Sequence, residues 1–210
     1  MPLIRRSGGT TSSEGKGQGE GAAGDGLRSR ASDERWAAAR ALSGRPEAVD
    51  ALGAALAVEP DPRVREAILT SLARIGTAQS AAVITPLIRS DDASTRTGAI
   101  DALRVMPAAL STHLAVLLND ADADVRILAC DLARQLPGPT ATEMLGALLD
   151  REAEANVCAA AIDVLAECGG PEALAALGRC AERFADVPFV VFSARIASDR
   201  ISSEAPPRGD

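Results

Sequence analysis

The chain has 210 residues, room for one or two domains, and 47% of them are apolar, as in ordinary water-soluble folds. Three Phe, one Trp and no Tyr stand against a large supply of Ala, Leu and Val, which points to closely packed helices and away from a sheet sandwich. The 22 basic and 29 acidic residues leave a net charge of −7, which disfavours nucleic acid as a partner, and no run of about 18 apolar residues is present to span a membrane.

Residues 1–30 are expected to form a flexible, basic-leaning tail. They hold Arg5, Arg6, Lys16, Arg28 and Arg30 against three acids, and eight of the 18 glycines fall between residues 8 and 26. Ordering such a stretch costs backbone entropy that no apolar burial repays, and 30 residues of it reach roughly 30 Å. Gly19-Glu20-Gly21-Ala22-Ala23-Gly24 spells the dinucleotide fingerprint, but that motif needs a preceding strand and a following helix, and neither is expected here. Gly15-Lys16 lacks the Ser or Thr of a phosphate loop. The start, MPLIRRSGG, has a basic pair with no apolar stretch after it, so no export signal is read and a cytoplasmic location with reduced thiols is expected.

From residue 31 the chain repeats itself. Pairs at Glu34-Arg35, Val64-Arg65, Thr95-Arg96, Val125-Arg126 and Val157-Cys158 recur every 30 to 32 residues. Offsets 0, 3, 4, 7, 8 and 11 from each anchor are apolar or small, the spacing of one helix face; in the third copy these are Thr95, Gly98, Ala99, Ala102, Leu103 and Met106. Gly44, Gly76, Pro107, Pro137 and Gly169 break each first helix. A second helix follows each breaker, opened by Pro46, Pro139 or Pro171 in three copies, and Pro86 should kink or restart that of the second copy. A hairpin of this size cannot bury its apolar face alone, so the copies must stack. The expected fold is all-α, an αα-superhelix of about five hairpins over residues 31–201 with a degenerate last helix at 186–200, and a disordered end at 202–210.

An acid-rich turn, then V-R-x-x-A-x-x-A-L, then Gly and a second helix ending in Leu-Leu resembles HEAT repeats. The short period is similar to the bacterial subgroup named for phycobilisome lyases. The resemblance implies a ladder in which Arg35, Arg65, Arg96 and Arg126 meet the acids of the turns, among them Glu59, Asp61, Asp91, Asp92, Asp120, Asp122 and Asp124. A partly buried guanidinium needs acceptors, so the arrangement is physically sound. Cys158 and Phe189 at the same position should end the ladder in apolar contacts. The resemblance also implies that the second helices line a concave binding face, on which Gln79, His113, Glu143 and Arg179 are the polar candidates.

No chemistry of a catalytic site is read. Cys130, Cys158, Cys168 and Cys180 form no C-x-x-C pair, lie far in sequence from His113, and read as small apolar core residues, so no metal is expected. His113 is the single histidine and Leu114 follows it, which disfavours a His-Glu di-iron hydroxylase. A lyase of the resembled subgroup would have to hold a tetrapyrrole, yet Trp36, Phe184, Phe189 and Phe192 sit at the two ends of the array. The expected function is a non-catalytic adaptor for another protein, without cofactor, in a bacterial regulatory or signalling complex; a lyase-like enzyme or subunit is the alternative.

Overall fold

A computed structural model describes residues 24–204, and all regular structure among the described residues is helical. The helices are α1 (Ser32–Ala41), α2 (Val49–Leu56), α3 (Pro62–Ile75), α4 (Ala78–Ile84), α5 (Ala93–Arg104), α6 (Pro107–Leu117), α7 (Ala123–Ala133), α8 (Gly138–Arg151), α9 (Ala155–Cys168), α10 (Leu174–Arg183) and α11 (Pro188–Glu204). Odd-numbered helices are the first of each hairpin and even-numbered ones the second, so five hairpins and one further helix follow in order, as the repeat predicts. None is long and apolar enough to cross a membrane.

Local chemistry sets the helix ends. Asp61, Asp92 and Asp122 cap α3, α5 and α7 by accepting from the amides of Arg63, Ser94 and Asp124, which satisfies donors that a helix start leaves unpaired. Gly76 closes α3 in the left-handed region at φ 66°, where a side chain would be strained. Pro86 lacks an amide hydrogen, so α4 stops at Ile84 and a 3-10 turn, Thr85–Arg89, carries the chain on.

The core is a column of aliphatic side chains. Leu42, Leu72, Leu103, Ala133 and Leu165, one per hairpin at the same offset, are all buried. Small residues set the helix spacing: a Cβ on Gly98 would lie 2.9 Å from Leu69 Cδ1, so glycine lets α5 close on α3. Cys130, Cys158 and Cys180 are buried as the sequence leads one to expect and Cys168 is half-buried; burial pushes the Cys130 thiol up to about 12, keeping it neutral.

The folded region begins earlier than residue 31. Residues 24–26 are helical, and Leu27 is buried in the core. A Cβ on Gly26 would stand 2.8 Å from Ala38 Cβ, so glycine brings this segment onto α1. One apolar residue in a glycine-rich stretch has no periodicity to betray it. Residues 1–23, with Arg5, Arg6, Lys16 and the fingerprint up to Ala23, lie outside the described residues, as do residues 205–210.

Stacking is uneven along the array. α1 packs on α3, α3 on α5, α7 on α9 and α9 on α11, but α5 and α7 touch over a much shorter stretch and α6 barely meets α8. A cavity of about 420 Å³, lined by Arg96, Asp122, Asp124, Ile127 and Leu128, lies at that joint.

Two glycines test the packing with one substitution. At Gly169 a Cβ would lie 2.5 Å from the Leu165 carbonyl oxygen, so Gly169→Ala should lower stability by about 1–3 kcal/mol. Exposed Gly178, inside α10 with nothing within 4 Å, should gain about 0.5–1 kcal/mol as Ala. Circular-dichroism melts of the two variants should shift in opposite directions.

Candidate functional site

The ladder arginines organise the turns between hairpins. Each donates to the carbonyl oxygen six residues before it: Arg35 to Ser29 at 3.0 Å, Arg65 to Glu59 at 3.1 Å, Arg96 to Ser90 at 2.5 Å and Arg126 to Asp120 at 2.7 Å. Two of them also form a bidentate pair with a glutamate of the next turn. Arg35 meets Glu59 through Nε and Nη2, both at 2.8 Å, and Arg126 meets Glu152 at 2.7 and 3.0 Å. The glutamate side chains are only 3% and 6% exposed, so these are buried charge pairs. Each glutamate further accepts a backbone amide, from Asp61 and from Ala153 and Glu154 respectively.

The other two rungs differ because the acid differs. Ser90 stands at the register of Glu59 and Glu152, so Arg65 reaches past it to Asp92 at 3.0 Å. That pair is single, and the buried Arg65 Nε is left without a partner. Asp120 has the right register for Arg96 but is a methylene shorter than glutamate, and it is paired with Arg89 instead. Arg96 therefore has no carboxylate partner among the described residues, a correction to the expected ladder. The fifth position corrects it in the opposite sense: Cys158 is buried there, and Arg183 of α10 reaches in to donate to the Glu152 carbonyl at 3.1 Å and to that of Leu149. Phe189 at the sixth position is exposed.

The buried pairs make the fold acid-sensitive. Hydrogen bonds from Arg35 hold the Glu59 carboxyl below the usual range. At Glu152 burial pushes upward, but Arg126 and the amides of Glu154 and Ala153 outweigh it, and the net direction is down.

Of the four candidate surface residues, three are engaged between neighbouring second helices. Gln79 donates to Asp50 at 2.7 Å, Arg179 holds Asp150 through two bonds of 2.9 Å, and His113 Nε2 lies 3.2 Å from the Ala78 carbonyl oxygen. The last contact requires the proton on Nε2. Glu143 is exposed on α8. Gln79, His113 and Arg179 stitch α4 to α2, α6 to α4 and α10 to α8. Sequence reasoning missed Glu152, although it stands six residues before Cys158 as Glu59 does before Arg65. It also missed an outer row in which Arg63 meets Asp33, Arg104 meets Asp131 and Arg134 meets Asp163.

A larger cavity than the one at the α5–α7 joint lies between α3 and α5. It measures about 650 Å³, with Leu69, Ala73, Gly98 and Ala102 forming an apolar floor and Glu66, Arg74 and Asp101 on its rims. Val105 at one lip is 69% exposed, high for a branched apolar side chain, and no described residue covers it.

The HEAT repeats family profile matches residues 22–104 and 110–189, more than half of the chain. The match is to HEAT repeats as a whole and does not single out the phycobilisome-lyase subgroup. No curated protein matches the chain. Among solved structures it is similar to an engineered protein (20% identity, TM-score 0.44, covering 89% of this chain and 97% of that one). It is also similar to human deoxyhypusine hydroxylase in complex with glycerol (17%, 0.43, 88% and 85%) and to a designed armadillo repeat protein (19%, 0.41, 85% and 98%).

Two variants examine the ladder. Ser90 and Glu152 share an extended backbone, φ −63° and ψ 134° against φ −70° and ψ 132°. Ser90→Glu should therefore supply Arg65 Nε with its missing acceptor and stabilise by about 1 kcal/mol. Arg126→Met leaves Glu152 buried without a counter-charge and should cost about 3 kcal/mol; urea titrations measure both.

Because the two glutamates ionise below their unfolded-chain value, their contribution is complete at neutral pH and is lost as pH falls through the lowered folded value. Melting temperature should drop steeply below about pH 4, and the double variant Glu59→Gln, Glu152→Gln should be less stable at pH 7 with a shallower acid dependence.

Proposed function

Because the chain belongs to the HEAT repeat family, we propose that it is a non-catalytic scaffold that binds another protein. The carrying observation is the α3–α5 groove, an open channel of about 650 Å³ with an apolar floor and rims of both charge signs. Such a surface suits a peptide segment or helix that buries apolar anchors between charged edges. The polar groups of the stacked turns are largely consumed by internal bonds, so recognition falls to the exposed faces. The row of second helices carrying Gln79, His113, Glu143 and Arg179 is the other face open to a partner. Three of the four already hold neighbouring helices together, which leaves Glu143 as its readiest contact.

Affinity capture with the full chain and two single variants distinguishes the faces. Val105→Glu places a charge at the exposed groove lip and should abolish recovery of the partner with an unchanged melt, whereas Glu143→Arg should retain it. The reverse pattern would move the binding face to the second helices, and loss with neither variant would sink both assignments.

A further inference from the structure

The last described helix carries apolar residues on both of its sides. α11 seats Val190, Ala194, Ala197 and Ile201 against the preceding hairpin, all 2% exposed or less. On its other side Phe189, Phe192 and Ile196, spaced three and four residues apart, are 48%, 57% and 47% exposed. Two of the four aromatic rings in the whole chain thus stand on one helix face that no described residue covers. Beside them a shallow cavity of about 330 Å³ is lined by Ala185, Pro188, Val191, Phe192 and Arg195. Knob and socket lie in the same patch.

That patch can be matched against either end of a second copy. The opposite end of the array is closed: Leu27 is buried over it, and the Trp36 ring is held by the guanidinium groups of Arg40 at 4.6 Å and Arg63 at 4.8 Å. Head-to-tail addition would set bare phenyl rings against that charged end. A two-fold axis sets the patch against itself. With the axis between Val190 and Val191 and the helices antiparallel, Phe189 of one copy faces Phe192 of the other and enters the socket beside it. Arg195 of each copy then faces Asp186 of the other, twice by symmetry. Neither Asp186 nor Arg195 has an ion-pair partner among the described residues, Arg195 resting 5.5 Å over Phe192.

We propose that the chain forms a two-fold symmetric dimer through the exposed face of α11, with Phe189, Phe192 and Ile196 as its apolar centre and Arg195–Asp186 pairs at its edges. An isologous contact of this kind closes on itself, so association stops at two copies. The α3–α5 groove is left open in each.

Sedimentation velocity of the full chain over a concentration series should show a species of twice 21.5 kDa. Phe189→Glu with Phe192→Glu should weaken association at least a hundredfold while the melt of the monomer is unchanged. Arg195→Asp and Asp186→Arg should each weaken it, and the two together should restore it, as only a pairing of each residue with the other across the axis predicts. A monomer at every concentration, an open-ended series of larger species, a dimer indifferent to the Phe variants, or a charge swap that fails to restore association would each overturn the assignment.

Discussion

A hairpin of about thirty residues with an apolar face on two sides has no folded state of its own, and the stack exists because each unit is the missing wall of its neighbour. What registers one unit on the next is a half-buried guanidinium held by a buried glutamate. Burying a charge is expensive unless it is paired and hydrogen-bonded, so Arg35 and Arg126 tolerate only the geometry in which a backbone carbonyl of their own turn and a glutamate of the next turn converge on them. The same glutamates cap the turn that carries them. One interaction therefore closes the turn, orients the helix that follows and aligns two units.

Where that interaction is weakened the stack loosens. Arg96 keeps its carbonyl but has no carboxylate, because Asp120 is too short and is held by Arg89. At this same joint α5 and α7 meet over a short stretch and a cavity opens between them. The hairpins before and after residue 118 still share one aliphatic core, and Arg104 with Asp131 and Arg151 with the Leu118 carbonyl bridge the same joint at its edges.

The two ends obey different physics. The first is sealed by a few residues of glycine-rich chain that would not be expected to order, with Leu27 as the plug. The last exposes aromatic side chains on a helix whose opposite face is as well buried as any in the core. Exposed apolar surface of that kind suits association, and the dimer proposed through it would leave the α3–α5 groove open.

Helix number and hairpin order were legible from periodicity, breakers and caps, all of which act within one turn of helix, whereas the ladder of arginines was expected only from the resemblance to HEAT repeats. Leu27 escaped notice for want of a period, and Glu152 because its role appears only beside an arginine 26 residues away. Gln79, His113 and Arg179 looked like free surface until the neighbouring helix brought Asp50, Ala78 and Asp150 to them. Local pattern dictates what a residue can do in its own helix. Which carboxylate an arginine meets, which polar groups are consumed and which faces remain open depend on distances between units roughly thirty residues apart in the chain, and those exist only once the hairpins have stacked.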